Sequence, residues 1–521
     1  MQTLQKNRTQ IIVLAILAVL LFMAIQGMST KDWVVTVLRG LSVGAITFLV
    51  ASGFSIILGL MDVLNLAHGT LFMIGAYLGW SVYVRPDSFV DLLTPLALVL
   101  AGLLLIPTFS RLLGRIKLPT AVDRIWPFVG LAAALSLLVP LWSRAPIALW
   151  SPDVYTDSPI VWSQNMELGT VASLIQPARW EGIAPFLGLA GLILVGLLAG
   201  LSLAGLSRRE EAMVAGKLPT RPLVYFGLLA GAGLAIYFAN DALTGVLLGM
   251  DTTLLFLIAI VVATVGGAAL GSLIEFSMIR PLYDRAIYQI MLTFGLAFIG
   301  TEIVRGIWGR TGFTMPRPSL FAGSGDGCPA TTIGGWLQNK CGIMAIEIGG
   351  ETARIRTYNE IFVIVVGLVV LIAVWILLQR SRLGMIIRAG VQDGEMVQAL
   401  GINVRRVFTL VFGLGVGLAA LGGVLAGPSM GLSDGMGANL LLGALIALAI
   451  GGLTSYPGAA AGSVLVGLMQ QFIIKYGAIG INLPFMAEPF KPSPPLVPAS
   501  TVLFMVIILL VMPQGLFGRK E

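Results

Sequence analysis

The sequence predicts an all-α, polytopic integral membrane protein with about fourteen transmembrane helices. Of its 521 residues, 57% are hydrophobic and only 11% are charged, whereas in globular domains about a quarter of the residues are charged. The mean hydropathy is +0.94, and the apolar residues form runs of about 20, the length that spans a bilayer as a helix. Lys and Arg lie in the short loops between the runs, and the positive-inside rule then places both termini in the cytoplasm.

The predicted spans follow one another mostly through short connections. The first span follows Lys6 and Arg8 and has no clean small-residue cleavage site after it, so we interpret it as an uncleaved helix. The net charge of +7 does not indicate nucleic-acid binding, because no basic cluster is interleaved with exposed aromatic residues. The spans cover residues 11–28, 36–60, 64–84, 90–110, 122–142, 183–206, 222–239, 251–279, 286–306, 359–379, 407–427, 437–453, 457–477 and 497–513.

A polar interruption at residues 59–69 lies inside a long apolar run and contains the only histidine of the chain. Lipid cannot hydrogen-bond freed backbone groups, so such a break persists at membrane depth only inside protein or beside water. We therefore predict that it lines a pathway for a polar solute, and that Asn65 is the N-cap of the next helix. The predicted pathway residues are Asp62, Asn65, His68 and Gly69. Alternatively, Asp62 faces cytoplasmic water, Asn65 only caps the helix, and His68 is a hydrogen-bonded packing residue.

A second interruption, at residues 451–458, repeats this arrangement as a helix, a break and then a Gly- and Ala-rich helix. The apolar segment before it is short, about 17 residues, which favours a break within the bilayer. Transporters built from internal repeats place interrupted helices around the solute route. We therefore predict that Thr454, Ser455 and Pro457 line the same pathway, and the alternative is a simple turn.

The most charged stretch of the chain, residues 380–406, lies between two predicted spans on the cytoplasmic side. Asp393 can cap a two-turn helix that ends at Gly401. An apolar stripe on this helix, flanked by arginines, predicts a docking surface for a soluble partner. The alternative is a solvated loop with anchoring arginines. The residues assigned to the stretch are Arg382, Gly384, Arg388, Asp393, Glu395, Met396, Val397, Leu400, Gly401 and Ile402, with the stripe at Met396, Val397 and Leu400.

The two cysteines, Cys328 and Cys341, lie in one polar, Gly-rich loop between apolar segments. If this loop is extracytoplasmic they can form a disulfide, and two free thiols are the alternative. One histidine and two loop cysteines do not make a usual zinc site. Neither a P-loop nor a nucleophile motif occurs in the sequence. We therefore expect no catalytic residue, metal or cofactor in this chain, which is not predicted to be an enzyme.

The residues around the first interruption carry a family resemblance. The segments Gly-Phe-Ser to Gly at 53–59, Val-Leu-Asn-Leu-Ala-His-Gly at 63–69 and Met-Ile-Gly-Ala-Tyr at 73–77 resemble the first block of the Liv-type permeases. These are the membrane subunits of ATP-binding-cassette (ABC) importers for branched-chain amino acids. Later blocks match in order at residues 275–282, 318–321, 381–404, 451–459 and 512–519, so the resemblance covers about 36–84 and 245–521.

The resemblance implies the ABC-importer permease fold and a subunit in the bacterial inner membrane. It implies pairing with a second, similar permease, two cytoplasmic ATPase subunits that bind ATP and Mg, and an extracytoplasmic solute-binding protein. In such a permease the stretch 380–403 is the coupling loop that contacts an ATPase. Branched-chain or other neutral amino acids are the expected solutes, and urea, short amides or organic acids are alternatives within the family. From other classes of protein, the alternative functions are an ion-coupled secondary transporter and an intramembrane enzyme.

The resemblance also predicts how the chain is divided. Residues 1–35 hold an extra N-terminal helix, 36–84 form the first part of the permease core, and 245–521 form its remainder. Residues 85–244 between them are predicted to be an insertion with about four spans. Because four is an even number, the insertion leaves the orientation of the core helices unchanged.

Overall fold

A computed structural model of the chain describes residues 28–114, 119–142, 182–207, 220–283, 285–312, 314–392, 394–481 and 488–518. All but the last residue of the predicted first span, at 11–28, lies outside this part of the chain. Asp393 and the side chain of Glu395 lie outside it as well.

Within the described residues, each predicted span from 36 onward lies on helical structure, which confirms the all-α fold class, although the span 90–110 is divided between α3 and α4. Ten helices of this part of the chain are long and apolar enough to cross a membrane. In chain order the helices are α1 Thr30–Met61, α2 His68–Val84, α3 Pro86–Leu103, α4 Ile106–Leu113, α5 Thr120–Trp142, α6 Ala184–Ser207, α7 Thr220–Phe238, α8 Asn240–Leu248, α9 Thr252–Ile274, α10 Ala286–Trp308, α11 Ile333–Asn339, α12 Val363–Arg380, α13 Arg382–Gln392, α14 Gly394–Ala399, α15 Val404–Met430, α16 Met436–Gly451, α17 Tyr456–Ile479 and α18 Leu496–Val511.

The contacts divide the chain into two units. The first comprises the residues up to Trp80 and from Phe256 onward, and the second comprises Ser81–Leu255. The predicted insertion at 85–244 has both of its boundaries inside the second unit and stays a prediction.

Helix α1 is deeply packed within the first unit, where it contacts α15, α16 and α17. Leu49, Val50 and Ala51 in its middle are completely buried. A small residue allows the close approach of α15, because a Cβ atom at Gly53 would lie 2.2 Å from the carbonyl oxygen of Gly415. Such small-residue contacts replace hydrophobic burial as a cause of helix association in a bilayer. The first interruption therefore begins at the end of a rigidly packed helix.

The second unit has a core of its own, formed where α3, α6 and α7 meet. Gly102 allows the helices to touch, since a Cβ atom there would lie 2.0 Å from the carbonyl carbon of Gly196. Two of its buried polar side chains pair with each other: Asn240 donates to Asp91 over 2.6 Å. Such pairing offsets the cost of burying polar groups.

The loop before α12 contains a small β-hairpin that the sequence analysis did not predict. Strands β1 Ile343–Ile348 and β2 Glu351–Arg356 pair antiparallel, with Ile348 opposite Glu351. Gly349 and Gly350 connect them with φ of 60° and 81°, the left-handed values that a two-residue hairpin turn requires. Cys328 and Cys341 are joined in a disulfide with a Cα–Cα distance of 5.5 Å, and it closes the loop that leads into β1.

Candidate translocation and coupling region

The first interruption starts with a left-handed residue. Helix α1 ends at Met61, and Asp62 has φ 52° and ψ 33° while its N–H donates to the carbonyl of Leu58. Asp is one of the few residues other than Gly that adopt this conformation readily, and its side chain is exposed. We call residues 62–67 the first break.

The first break ends with a cap that differs from the predicted one. Asn65 Oδ1 accepts a hydrogen bond from the N–H of Ala67 over 3.1 Å, and the carbonyl of Asn65 accepts one from His68 over 3.2 Å. Regular helix begins only at His68. Asn65 thus stabilises the turn before the helix, and its predicted role as the N-cap of α2 was wrong, because regular helix begins three residues later.

His68 is completely buried against α1. Its Nε2 lies 3.1 Å from the carbonyl oxygen of Val50, and its ring meets the Phe54 ring edge-on at 5.7 Å. Because a carbonyl only accepts, Nε2 is the protonated nitrogen, and Nδ1 of the neutral ring is left as an acceptor. Neither His68 Nδ1 nor Asn65 Nδ2 has a hydrogen-bond partner among the described residues. Two buried polar atoms without partners are unusual and costly.

A threonine from α10 holds the middle of the first break. The N–H of Leu66 donates to Thr293 Oγ1 over 3.2 Å, and the same hydroxyl lies 3.3 Å from the carbonyl oxygen of Leu64. Thr293 is fully buried. Sequence reasoning missed this residue, because a single threonine in an apolar helix gives no signal of its distant partner.

The second interruption joins α16 to α17 through four residues, 452–455, which we call the second break. Ser455 is extended, and its Oγ accepts a hydrogen bond from the N–H of Gly458 over 3.2 Å, so it is the N-cap of α17. Pro457 occupies the first turn, where its missing N–H costs nothing. Thr454 and Pro457 are exposed and Ser455 is half-buried.

The C-terminal segment completes the end of α16. The N–H groups of Leu516 and Phe517 donate to the carbonyls of Ile450 and Gly451, each over 2.9 Å. The last carbonyls of a helix lack partners within the helix. The C-terminal segment therefore supplies hydrogen-bond donors to the carbonyl groups at the end of α16, next to the second break.

The second break lies beside the last turn of α1, which leads into the first break. A Cβ atom at Gly59, in that turn, would lie 3.2 Å from both the Cβ and the carbonyl oxygen of Thr454. Gly69, at the start of α2, packs more closely and on the other end of α16, where a Cβ would come within 2.3 Å of the Gly437 carbonyl oxygen. Of the residues that sequence analysis assigned to one pathway, the structure thus places Thr454 beside the helix that leads into Asp62, while Gly69 lies near the beginning of α16.

The charged stretch folds as two short helices, α13 and α14, rather than as a single two-turn helix in a loop. Gly401 follows α14 with φ 83°, as expected for a residue that ends a helix. Met396 and Leu400 are 66% and 75% exposed. Val397 is buried, so its predicted place in the exposed stripe was wrong: it faces the protein interior. Leu383 and Met385 on α13 are exposed apolar residues that the sequence analysis did not assign.

The buried side of the stretch packs beside both breaks. Ile387 of α13 belongs to one apolar cluster with Ile56 of α1 and Tyr456 at the start of α17, and Leu60 and Met61 pack against it. The Tyr456 hydroxyl donates to the carbonyl of Leu371 in α12 over 3.1 Å. The buried side of the stretch therefore shares one apolar cluster with the end of α1 and the start of α17.

Apolar helices with two polar breaks, and a charged, exposed stretch packed beside them, define the class of the protein as a multi-pass membrane permease. A family model described as branched-chain amino acid transport system / permease component matches residues 223–512, more than half of the chain. The chain belongs to this family. No solved structure matches it.

Known relatives carry the same description. The chain is 26% identical over 322 residues to the high-affinity branched-chain amino acid transport system permease protein LivH of Salmonella typhimurium. The matched region covers 55% of this chain and 97% of that relative. It is 28% identical over 277 residues to LivH of Escherichia coli, covering 53% and 79%. The corresponding BraD protein of Pseudomonas aeruginosa is 32% identical over 168 residues, 32% of this chain and 49% of the relative.

Proposed function

We propose that the chain is the transmembrane permease subunit of an ABC importer for branched-chain or other neutral amino acids. It forms the translocation pathway with a second, homologous permease in the bacterial inner membrane, with both termini in the cytoplasm. An extracytoplasmic solute-binding protein delivers the solute. Two cytoplasmic ATPase subunits bind ATP and Mg and supply the energy, so the chain itself needs no cofactor.

The observation that carries this proposal is the position of the charged stretch. Its exposed side presents Met396 and Leu400 beside exposed arginines, Arg382 and Arg388, and its buried side packs on the ends of α1 and α17. Exposed apolar side chains rimmed by charges are typical of a protein-docking surface. A partner that moves this surface also moves the residues beside both breaks, as an energy-coupled importer requires.

The two breaks are proposed to form the inner gate of the pathway. Asp62 and Asn65 contribute from the first break, His68 and Gly69 from the start of α2, Thr454 and Ser455 from the second break, and Pro457 from the start of α17. Support comes from the contact of Gly59 with Thr454 and from the buried polar atoms of Asn65 and His68 that lack partners. A solute or water in an opened gate would supply the missing hydrogen bonds.

The solute class rests on the names of the relatives, which are branched-chain amino acid permeases. One further relative, 29% identical over 121 residues, is a fructose import permease protein of Bifidobacterium longum, so similar chains serve chemically different solutes. Uptake of radiolabelled leucine, compared with urea and a dicarboxylic acid in cells with and without this chain, tests the assignment. Leucine uptake that does not depend on the chain would contradict it.

The docking surface is tested by a charge placed on it. Leu400→Asp is expected to abolish co-purification of ATPase subunits with the tagged chain, while the protein still inserts into the membrane. Leu337→Asp is the matched control, because Leu337 is also an exposed leucine, 54% exposed, but lies on α11 in the disulfide loop. Equal ATPase recovery with both variants would refute the docking assignment. Uptake by the purified chain alone, driven by an ion gradient, would instead indicate a secondary transporter.

A further inference from the structure

An ion pair forms where α9 changes its winding. After Ile274 the helix continues as a π-helical turn, Glu275–Ile279, and the N–H of Arg280 bonds to the carbonyl of Glu275. Residues five apart point about 140° away from each other on a regular α-helix, and the wider turn brings them to one side. Arg280 Nε and Nη2 lie 3.3 and 3.2 Å from the two carboxylate oxygens of Glu275.

Glu275 is completely buried, while the Arg280 side chain is 22% exposed. The Tyr283 hydroxyl also donates to the carboxylate of Glu275. A buried carboxylate is tolerated only when it is paired and hydrogen-bonded. Among the described residues, Arg280 is the cation that pairs with this carboxylate. The buried charge of Glu275 therefore holds the Arg280 side chain in place.

Arg280 also binds the helix that follows the charged stretch. Its Nη2 donates to Thr409 Oγ1 over 2.6 Å and approaches the carbonyl oxygen of Arg405 at 3.4 Å. Both residues belong to the beginning of α15, which starts at Val404, directly after the stretch. The Tyr283 ring adds an edge-on contact with Phe408 at 5.9 Å. The end of the charged stretch is thus held by Arg280.

The same turn is bound on its other side to the first break. Gln289 of α10 donates to the carbonyls of Leu282 and Tyr283 over 2.7 and 3.2 Å. One turn further along α10, Thr293 bonds to the break at Leu64 and Leu66. Apolar contacts join the same regions: Ile279 and Tyr283 pack with Ile57 of α1 and Val63 of the first break.

We infer that Arg280 is a positioning residue that holds the end of the charged stretch and the first break in one fixed arrangement. Its bonds to Glu275 and Thr409 fix α9 against α15, and Gln289 and Thr293 carry this restraint through α10 to residues 64–66. A displacement of the stretch therefore displaces the break. The role of Arg280 in transport rests on the proposed function, because it assumes that an ATPase docks on the charged stretch and that the breaks form the gate.

Amide hydrogen exchange of the full chain in lipid nanodiscs tests this inference without any ATPase or solute. Arg280→Gln is expected to raise the exchange rate of the Leu66 amide about tenfold, because a charged hydrogen-bonding group is lost. Arg280→Lys keeps the charge but not the planar fork, and it should restore part of the protection. Arg285→Gln is the matched control, because this exposed arginine lies in the same turn and its guanidinium lies over the Tyr288 ring, 5.9 Å from the centroid.

Coupling of this kind must act in both directions. Thr293→Val, which removes the contact with the break, is therefore expected to raise exchange of the Thr409 amide as well. Where Arg280→Gln does not insert, Thr409→Val replaces it, since it removes one acceptor and keeps the side-chain shape. Unchanged Leu66 exchange in Arg280→Gln, relative to Arg285→Gln, would overturn the inference. So would a response confined to the residues next to each substitution. Because the readout involves neither transport nor partners, failure of the proposed function would not produce these results.

Discussion

The two breaks resemble each other in sequence but are held in different ways. At the first break, side chains dominate: Thr293 bonds its backbone, and His68 lies buried against α1 with one ring nitrogen lacking a partner. At the second break, backbone groups dominate: the C-terminal segment bonds the end of α16, and Ser455 caps α17. The first is a polar cluster with incomplete hydrogen bonding, and the second is a satisfied, exposed turn.

This difference indicates different roles within the proposed gate. Unsatisfied buried groups gain hydrogen bonds when water or solute enters, so the first break can change its conformation at a lower net cost. A fully bonded turn gains nothing from rearrangement. We therefore expect the first break to move during transport and the second to serve as the fixed element against which it closes.

The largest effect is expected from crowding the backbone of the second break. Gly451→Ala would place a Cβ atom 1.9 Å from the carbonyl oxygen of Gly458. Because neither backbone can shift without breaking the cap, the unfolding free energy should fall by about 3 kcal/mol. Thermal unfolding in nanodiscs measures this.

Gly59→Ala is the matched control for that substitution. It crowds the contact between the last turn of α1, which leads into the first break, and Thr454 less severely, 3.2 Å from the Thr454 Cβ, and should cost less than about 1 kcal/mol. Equal destabilisation by the two alanines would contradict the view that the second break is the more rigid one.

A smaller effect is expected at His68. His68→Ala removes the donor to the Val50 carbonyl and the edge contact with Phe54, which should lower the unfolding free energy by about 2 kcal/mol. Uptake should change as well, with expression unaltered. His68→Gln keeps an N–H donor and should recover part of the stability. Unchanged uptake in His68→Ala would reduce this residue to a packing role.

The sequence was sufficient to predict the helices and the positions of the breaks, because both follow from local hydropathy and from Gly, Pro and Asn signals. Pro457, predicted at the start of the span 457–477, lies in the first turn of α17. These features depend on residues close together in the chain. In the described part of the chain, twelve of the thirteen predicted spans from residue 36 onward each lie on one helix, and the span 90–110 is divided between α3 and α4.

Features that depend on distant partners could not be predicted. The helical period places Val397 on the face of Met396 and Leu400, but folding of α14 against the rest of the stretch buries it. The bonds from Leu516 and Phe517 to the end of α16 join segments more than sixty residues apart. The polar–apolar alternation in β2 and the Gly349-Gly350 pair are hairpin signals, but they lie in a loop between long apolar spans and were not assigned.

The smallest effect is expected from the cap of the second break. Ser455→Ala removes the acceptor for the Gly458 N–H and should cost about 1 kcal/mol, since the C-terminal segment still bonds α16. Thr454→Ala is the control, because Thr454 is exposed and lies one residue before the cap; it should change stability by less than about 0.5 kcal/mol. Uptake should stay near the wild-type rate in both variants. A strong loss of uptake in Ser455→Ala, at a stability close to wild type, would show that the second break also moves, and the contrast between the two breaks would fail.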